Sequence, residues 1–398
     1  MARVPAHSNV AKGGVGRVAV GIDPSRAALQ IALLSPRGDE RRERRVPLGP
    51  AAVDVLGEVL AGQQAVIAIE GSHSTGQLFL LELLARKYDV REIQPFVSKR
   101  FRQALSDDHT DQKDARGLAQ LANWKPDLPR IRFSEEQATC KRLSRLREQL
   151  VGDRTRYANR LHACLSETYG AVYKPLFSDL LANKALGFFA KYPTLNDALE
   201  AADEIKALLG EQAWSSLHQA GRWQEGLYLE CLRAEARALI AHLQALKERV
   251  AELDCHLEKL ATQPAVAVLL TLPGVGLRTA LSIVGDTGQP ARFRNTHHYV
   301  AYCGLAPATH QSGVGGPSPK ARQRYNRHLK RAFLLLAFSQ IRWNDQARSY
   351  YERKRASGKS HWAALRCLGR QLCRIVFRML VSNRPYRPAD SLVTSPLT

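Results

Sequence analysis

The sequence predicts an α/β domain followed by an all-α remainder, on three observations. Short β-branched runs alternate with helical spacings up to residue 130, leucines then recur at steps of three and four, and the last quarter is helical and nearly free of acids. With 398 residues, 45% hydrophobic and 24% charged, the chain has the composition of a globular protein with several cores. The expected divisions are a tail at 1–16, an α/β domain at 17–130, a helical and coiled-coil region at 131–263, a mainly helical domain at 264–384 and a second tail at 385–398.

Lys12-Gly13-Gly14-Val15-Gly16 precedes the first strand rather than following one, so it does not read as a phosphate-binding loop. Val18 to Asp23 is a β-branched strand that ends in a carboxylate before a Pro-Ser turn. Ala28 to Leu34 is a second strand and Arg44 to Leu48 a polar third, suited to an edge, so the chain opens with a meander. Ala51 to Leu60 has helical spacing. Ala65 to Glu70 is a buried strand that again ends in a carboxylate, Gln77 to Lys87 an amphipathic helix, and Val90 to Gln94 a strand closed by Pro95. In His109-Thr110-Asp111-Gln112-Lys113-Asp114, Thr110 suits an N-cap, and Asp111 and Asp114 share a face one turn apart. Two readings fit: a helix start with acids favoured by the macrodipole, or a carboxylate pair that flanks or shares a divalent cation.

From Gln137 the leucine spacing indicates long helices. Leu229, Leu232, Ala236, Leu239, Leu243, Leu246, Val250, Leu253, Leu257 and Leu260 alternate steps of three and four, which fits a coiled coil or a long helix packed inside one chain. Lys174 to Trp223 carries no evident chemistry. Leu272-Pro273-Gly274-Val275-Gly276-Leu277-Arg278 has the form of a helix-hairpin-helix, in which Gly274 and Gly276 would let backbone N–H groups approach a phosphate beside Arg278. Tyr302 to Gly316 reads as a loop with Gln311-Ser312-Gly313 at its centre. Beyond it lie Lys320, Arg322, Arg324, Arg327, Lys330 and Arg331, and from Lys320 to Arg387 the only acids are Asp345 and Glu352. Core packing is the expected role of most of Trp343, Trp362 and Tyr325, with base stacking as the alternative.

Lysine and arginine outnumber the acids 58 to 37, a formal charge of +21, which points to a polyanionic partner, nucleic acid first. No membrane partner is expected, because the apolar run Phe333 to Phe338 is far too short to span a bilayer. The first sixteen residues lack an apolar leader, and a cytoplasmic, nucleoid-associated protein is expected. The cysteines are scattered singly, without a C-x-x-C pair, so neither a disulfide framework nor a zinc site is indicated.

Four carboxylates stand out: Asp23 and Glu70 at strand ends, Asp111 and Asp114 on a helix. Their oxygens suit Mg²⁺, and two such ions can stabilise the attacking and leaving oxygens of a phosphoryl transfer. The strand ending in Asp23, the Ile69-Glu70-Gly71 step and Thr110-Asp111-Gln112-Lys113-Asp114-Ala115 resemble the Asp-Glu-Asp-Asp signature of the insertion-sequence transposases of family 110. Leu272-Pro273-Gly274-Val275-Gly276, Tyr302-Cys303-Gly304-Leu305-Ala306-Pro307 and Gln311-Ser312-Gly313 resemble that family's C-terminal domain. The resemblance implies a RuvC-like, RNase H-like fold for the first domain. It also implies a recombinase in which Asp23, Glu70, Asp111 and Asp114 hold Mg²⁺, with Mn²⁺ able to substitute, while Ser312 forms a phosphoserine link to DNA. The implied partners are donor and target DNA, a structured non-coding guide RNA, and further copies of the chain in a dimer or tetramer, with the coiled coil serving dimerisation. His109 replaces the lysine the resemblance leads one to expect, and Arg322-Gln323-Arg324-Tyr325-Asn326 departs from Lys-Arg-Gly-Asn. Two rival readings predict different chemistry: a metal-dependent junction resolvase that forms no covalent intermediate, and a nucleic-acid scaffold that cuts nothing.

Overall fold

In the computed structural model, residues 16–38, 41–70, 76–93, 95–105, 110–125, 128, 130–131, 134–307, 309–310, 318–319 and 325–387 are described. Two units form, one from residues 1–135 with 288–298 and the other from 136–287 with 299–398.

The first unit is built on a sheet of β1 (Val18–Pro24), β2 (Ala28–Leu34), β3 (Arg41–Pro47), β4 (Ala65–Glu70) and β5 (Asp89–Ile93), in the order β3-β2-β1-β4-β5. The predicted meander is present: β1 pairs antiparallel with β2, and β2 with β3, while β4 lies parallel to both β1 and β5. Strand alternation gives the sheet two apolar faces. Val20, Ile22, Ile31, Ile67 and Ile69 meet α1 (Ala52–Leu60) and α2 (Gln77–Ala85) through Leu56, Leu60, Phe79 and Leu83. On the other face Val97 and Phe101 of α3 (Pro95–Leu105) join Ala115, Leu118, Ala119 and Ala122 of α4 (Asp111–Trp124) on Ala19, Ala32 and Ala68. Helix α3 differs from the expectation that Pro95 merely closes a strand. Proline also suits a helix's first turn, where its missing N–H costs nothing, and that is its place here.

One contact fixes α4. A Cβ on Gly21 would lie 2.0 Å from the Ala115 carbonyl oxygen and 2.4 Å from the Ala119 nitrogen, so only glycine lets the helix approach the strand this closely. A Cβ on Gly38, just past β2, would meet the Asn123 amide at 3.3 Å. Leu34 of β2 pairs with Ala19 of β1, so the C-terminus of α4 lies over the start of β1, and its first turn over the end where β1 and β4 finish.

The second unit is helical: α5 (Glu135–Tyr169), α6 (Asn183–Lys191), α7 (Leu195–Glu200), α8 (Ala202–Leu209), α9 (Glu211–Ala220), α10 (Leu227–Glu258), α11 (Pro264–Leu270), α12 (Leu277–Thr287), α13 (Thr296–Tyr302), α14 (Arg327–Trp343), α15 (Asp345–Ala356) and α16 (His361–Ser382). Arg147 bonds Asp254 at 2.5 Å, Tyr157 stacks on His242 at 5.0 Å, and Tyr228 donates to Glu167 at 2.5 Å. Partners that advance on α5 while retreating on α10 define an antiparallel pair. Leu232, Ala236, Leu239 and Leu243 of the heptad stripe are buried with Ala158, Leu161 and Leu165 of α5 and with Leu186 and Phe189 of α6. This part of the stripe is covered within the chain, in keeping with the second of its two expected uses, while Leu246, Leu253 and Leu260 are half-buried. Each buried leucine contributes about 1.5–3 kcal/mol by leaving water.

The tip of this pair is tied by Arg233, whose guanidinium bonds Asp197 and Glu225 at 2.9 Å and Glu230 at 2.7 Å. Hydrogen bonds from Arg233 and then Asn196 hold the Glu225 carboxyl down at about 2. Because the folded value lies below the ordinary one, this contribution is complete above the usual glutamate range and is lost as pH falls through about 2. The Glu225 carboxyl resonance is expected to titrate at about 2 by NMR, and to rise toward the ordinary glutamate range in Arg233→Met, with the Asn196 hydrogen bond still holding it below that range. In the first unit, Gly21→Ala should destabilise by roughly 3 kcal/mol or prevent folding, since backbone must move. Gly276→Ala, with nothing within 4 Å of its Cβ, should change the denaturation midpoint little.

Candidate active site and nucleic-acid surface

Ile22 pairs with Ile69, so Asp23 stands beside Glu70 at the ends of adjacent parallel strands, about 4.8 Å apart in the sheet. Both continue the rows that face α4, Ala19-Gly21-Asp23 and Val66-Ala68-Glu70. On α4, the Thr110 hydroxyl accepts the Lys113 N–H at 3.2 Å, placing Asp111 and Asp114 in the first turn at that same end. The cap reading holds, and the capped turn carries both acids. Asp23, Glu70 and Asp114 are half-buried and Asp111 is exposed.

The backbone brings the four carboxylates to one end of the sheet, and their oxygens have the chemistry that a hard divalent cation takes. Their side chains are not gathered closely enough to enclose one. Among the described residues, no group of three or more His, Cys, Asp and Glu side chains could hold a metal ion.

Two neighbours escaped sequence reasoning. Ser98 of α3, 2% exposed, donates its hydroxyl to Glu70 Oε2 at 2.9 Å. Buried Gln30 lies opposite Asp23 in register. Pro95 as a helix start, followed by Val97, Ser98 and Phe101 at helical spacing, was the signal for Ser98. Nothing in the sequence marks Gln30 apart from a polar residue within an apolar strand.

Ser312, Lys320, Arg322 and Arg324 lie outside the described residues, as do Gly71 and His109. The chain around Ser312 is described at its base. β6 (Thr309–His310) pairs antiparallel with β7 (Ser318–Pro319), and Ser312 falls between them in sequence. Below this ribbon the Asn326 N–H donates to the Tyr302 carbonyl at 2.8 Å. Gly304, at φ +69, lies against Tyr325: a Cβ there would be 2.5 Å from the ring. The departure at Tyr325 thus has a definite seat. The Asn326 amide donates to Asp286 at 3.1 Å while its oxygen caps α14 through the Leu329 N–H at 3.0 Å. Asp286 is buried and also takes Arg145 at 2.6 Å. Asp286, Arg145 and Asn326 were missed because partners 141 residues apart leave no local pattern.

Between α11 and α12, Gly274 turns at φ +70, and its carbonyl and that of Pro273 accept from Ser339, at 2.9 Å, and from the Gln340 amide. In a trans peptide the N–H points opposite to the C=O, so the Gly274 N–H faces away from α14. Gly276 is exposed and open. Arg278 pairs with Asp254 at 2.6 Å and Arg331 with Glu148, so part of the expected cation set serves ion pairs. The Lys330 ammonium sits 4.3 Å over the Tyr325 ring, and Arg327 is exposed. Trp343 and Trp362 are 74% and 61% exposed, so core packing, expected for most of the three aromatics, does not describe these two. Among the described residues no helix is long and apolar enough to cross a membrane.

A transposase family model of the DEDD, IS110 type matches residues 20–170, and the model described as transposase IS116/IS110/IS902 family matches residues 266–352. The chain is 38% identical over 152 residues to the insertion element IS110 uncharacterized 43.6 kDa protein of Streptomyces coelicolor, covering 38% of this chain and 34% of that protein. That match spans only about a third of the relative. It is 30% identical over 296 residues to the insertion element IS900 uncharacterized 42 kDa protein of Mycobacterium paratuberculosis, 71% of this chain and 74% of that one. With the insertion element IS116 uncharacterized 44.8 kDa protein of Streptomyces clavuligerus it shares 27% identity over 395 residues, 94% and 97% of the two chains.

Ser98→Ala removes the hydroxyl that donates to the Glu70 carboxylate. Loss of one hydrogen bond to a charged group is expected to lower the thermal midpoint by a few degrees, read by differential scanning calorimetry.

Proposed function

The chain belongs to the transposase IS116/IS110/IS902 family, and we propose that it cuts and rejoins DNA as the transposase of an insertion sequence through a serine nucleophile assisted by divalent metal. The observation that carries this reading is the placement of Asp23 and Glu70 on adjacent strand ends under the first turn of α4, with Asp111 and Asp114 in that turn. A mixed sheet of this order, with its acids at the end of the central parallel pair, supports the RNase H-like reading of the first domain. Asp23, Glu70, Asp111 and Asp114 are the residues that would hold Mg²⁺, or Mn²⁺ in its place. When bound, the metal supplies charge stabilisation for the oxygens entering and leaving phosphorus.

Ser98 holds Glu70 through its hydroxyl, and Thr110 fixes the turn that carries Asp111 and Asp114. In the proposed step the Ser312 oxygen forms a bond to phosphorus, its proton passes to a base or water, and the bond to one strand's sugar oxygen breaks. Joining is the reverse: a sugar hydroxyl attacks the phosphoserine, which restores the serine. Each exchange forms one ester bond as it breaks another, so no external energy source is required. A serine hydroxyl is a weak nucleophile unless it is activated, which ties the role of Ser312 to the acids.

The +21 charge supports long contacts with phosphate, as expected of a protein that leaves sequence reading to a structured guide RNA paired with donor and target DNA. Self-association, also part of this reading, would use a surface other than the buried stripe of α10. Leu227 and Tyr228 at the start of that helix remain exposed.

The test is a covalent-adduct assay with Mg²⁺, guide RNA and labelled donor and target DNA, run under denaturing conditions. A protein-linked band is expected for the wild type, reduced at least about a thousandfold in Ser312→Ala and in Asp111→Ala. Cutting without an adduct that persists in Ser312→Ala would show a metal-dependent resolvase instead.

A further inference from the structure

The outward face of α14 has a composition that neither fold stability nor the acid site explains. Arg327, Arg331, Leu335, Phe338 and Arg342 are exposed at steps of four, four, three and four, which places them on one face of the helix. The opposite face, Leu329, Phe333, Leu336, Ala337 and Gln340, is buried. Leu335 and Phe338 are 55% and 46% exposed, one turn apart, with arginine before and after them. The Arg342 guanidinium lies 5.0 Å above the Phe338 ring. Arg331 and Arg342 stand about 16 Å apart along the helix, bracketing the apolar pair. No acid occurs in α14; Glu148 of α5 engages His328 and Arg331, Asp286 takes the Asn326 cap at its start, and Asp345 follows its C-terminal end.

Two exposed apolar side chains framed by arginines suit one class of partner better than others. A second copy docking about a two-fold axis would bring these arginines against one another, a repulsion that Glu148 relieves at Arg331 but that Arg327 and Arg342 would still feel. A DNA duplex would present phosphates to the arginines and leave Leu335 and Phe338 against its charged backbone. An unpaired strand offers both chemistries, phosphates for Arg327 and Arg342 and a base face for the Phe338–Arg342 pair.

We propose that the Arg327–Arg342 face of α14 binds an unpaired DNA strand, with a base stacked at Phe338 and Arg342 and the backbone held by the flanking arginines. The inference rests on the transposase reading, in which strands must part before they are exchanged. It adds Leu335, Phe338 and Arg342 to the surface expected to meet nucleic acid.

The experiment is fluorescence anisotropy on the full-length chain with a labelled single-stranded DNA, the same sequence as duplex, and the same sequence as RNA. Phe338→Ala and Arg342→Ala are each expected to weaken single-strand binding about tenfold while duplex affinity changes less than about twofold, and Phe338→Tyr is expected to retain binding. Photo-cross-linking of bromodeoxyuridine-substituted single strands to the wild type, mapped by mass spectrometry, should label the α14 peptide whether or not a variant folds. The proposal is overturned by unchanged affinities with no α14 cross-link, by equal losses on duplex and single strand, by a preference for the RNA, or by variants that change the size of the assembly instead. Failure of the parent reading is a different result: wild-type protein that neither cuts nor joins DNA yet still binds single strands through Phe338. Wild-type recombination with Phe338-independent binding removes this inference alone.

Discussion

The arrangement of the first unit depends on the missing side chain at Gly21. Without a Cβ there, α4 settles onto β1 with Ala115 and Ala119 against the strand backbone. That depth lets Ala19, Ala32 and Ala68, all small, form the floor under the helix. It also sets the axial position of α4, and hence where the Thr110 cap and its two aspartates fall relative to Asp23 and Glu70. Glycine at the centre of a strand is unfavourable in its own right. Its presence is explained by the helix it admits, so one backbone contact links packing to the geometry of the acids.

In the second unit, buried polar groups do comparable work between distant segments. Asp286 joins α5, through Arg145, to the start of α14, through Asn326. Gly285, one residue earlier, lies so near α5 that a Cβ would be 2.4 Å from the Lys141 nitrogen, so α12 and α5 are in backbone contact at the point where this carboxylate is buried. Cation and amide both meet the Oδ1 atom, while Oδ2 is buried without a hydrogen-bond partner among the described residues, so removing either partner would leave the buried carboxylate still less compensated. The Asn326 side chain serves two ends at once, capping α14 and engaging Asp286, which fixes the chain that leaves the ribbon of β6 and β7.

Local rules made much of this visible in the sequence. The β1 and β4 ends, the meander, the Thr110 cap and the long helices follow from period, branching and capping chemistry, which act within a few residues. The heptad stripe of α10 revealed a buried face but not its partner, because periodicity specifies that a face is covered and says nothing of what covers it. Pro95 was ambiguous for a related reason: the same ring ends a strand and begins a helix. The Asp286 cluster and the exposure of Trp343 and Trp362 depend on segments distant in sequence, and no local signal encodes them. Of the site, the four carboxylates were legible as residues at element ends, whereas the support of Glu70 by Ser98 required the fold.

Electrostatics relates these acids to a basic chain. Four carboxylates brought to one end of a sheet repel each other, and they would repel a phosphodiester still more, because the charges add at short range in a partly desolvated site. A surface rich in arginine does not cure this. Its attraction acts over the whole nucleic acid and is screened within about 8–10 Å at physiological salt, whereas the repulsion acts at the reacting phosphorus. A divalent cation among the carboxylates would reverse the local sign and let the same residues that oppose substrate hold it. The Ser98 hydroxyl holds one of these carboxylates in place before any such ion binds, which lowers the number of groups a cation would have to order.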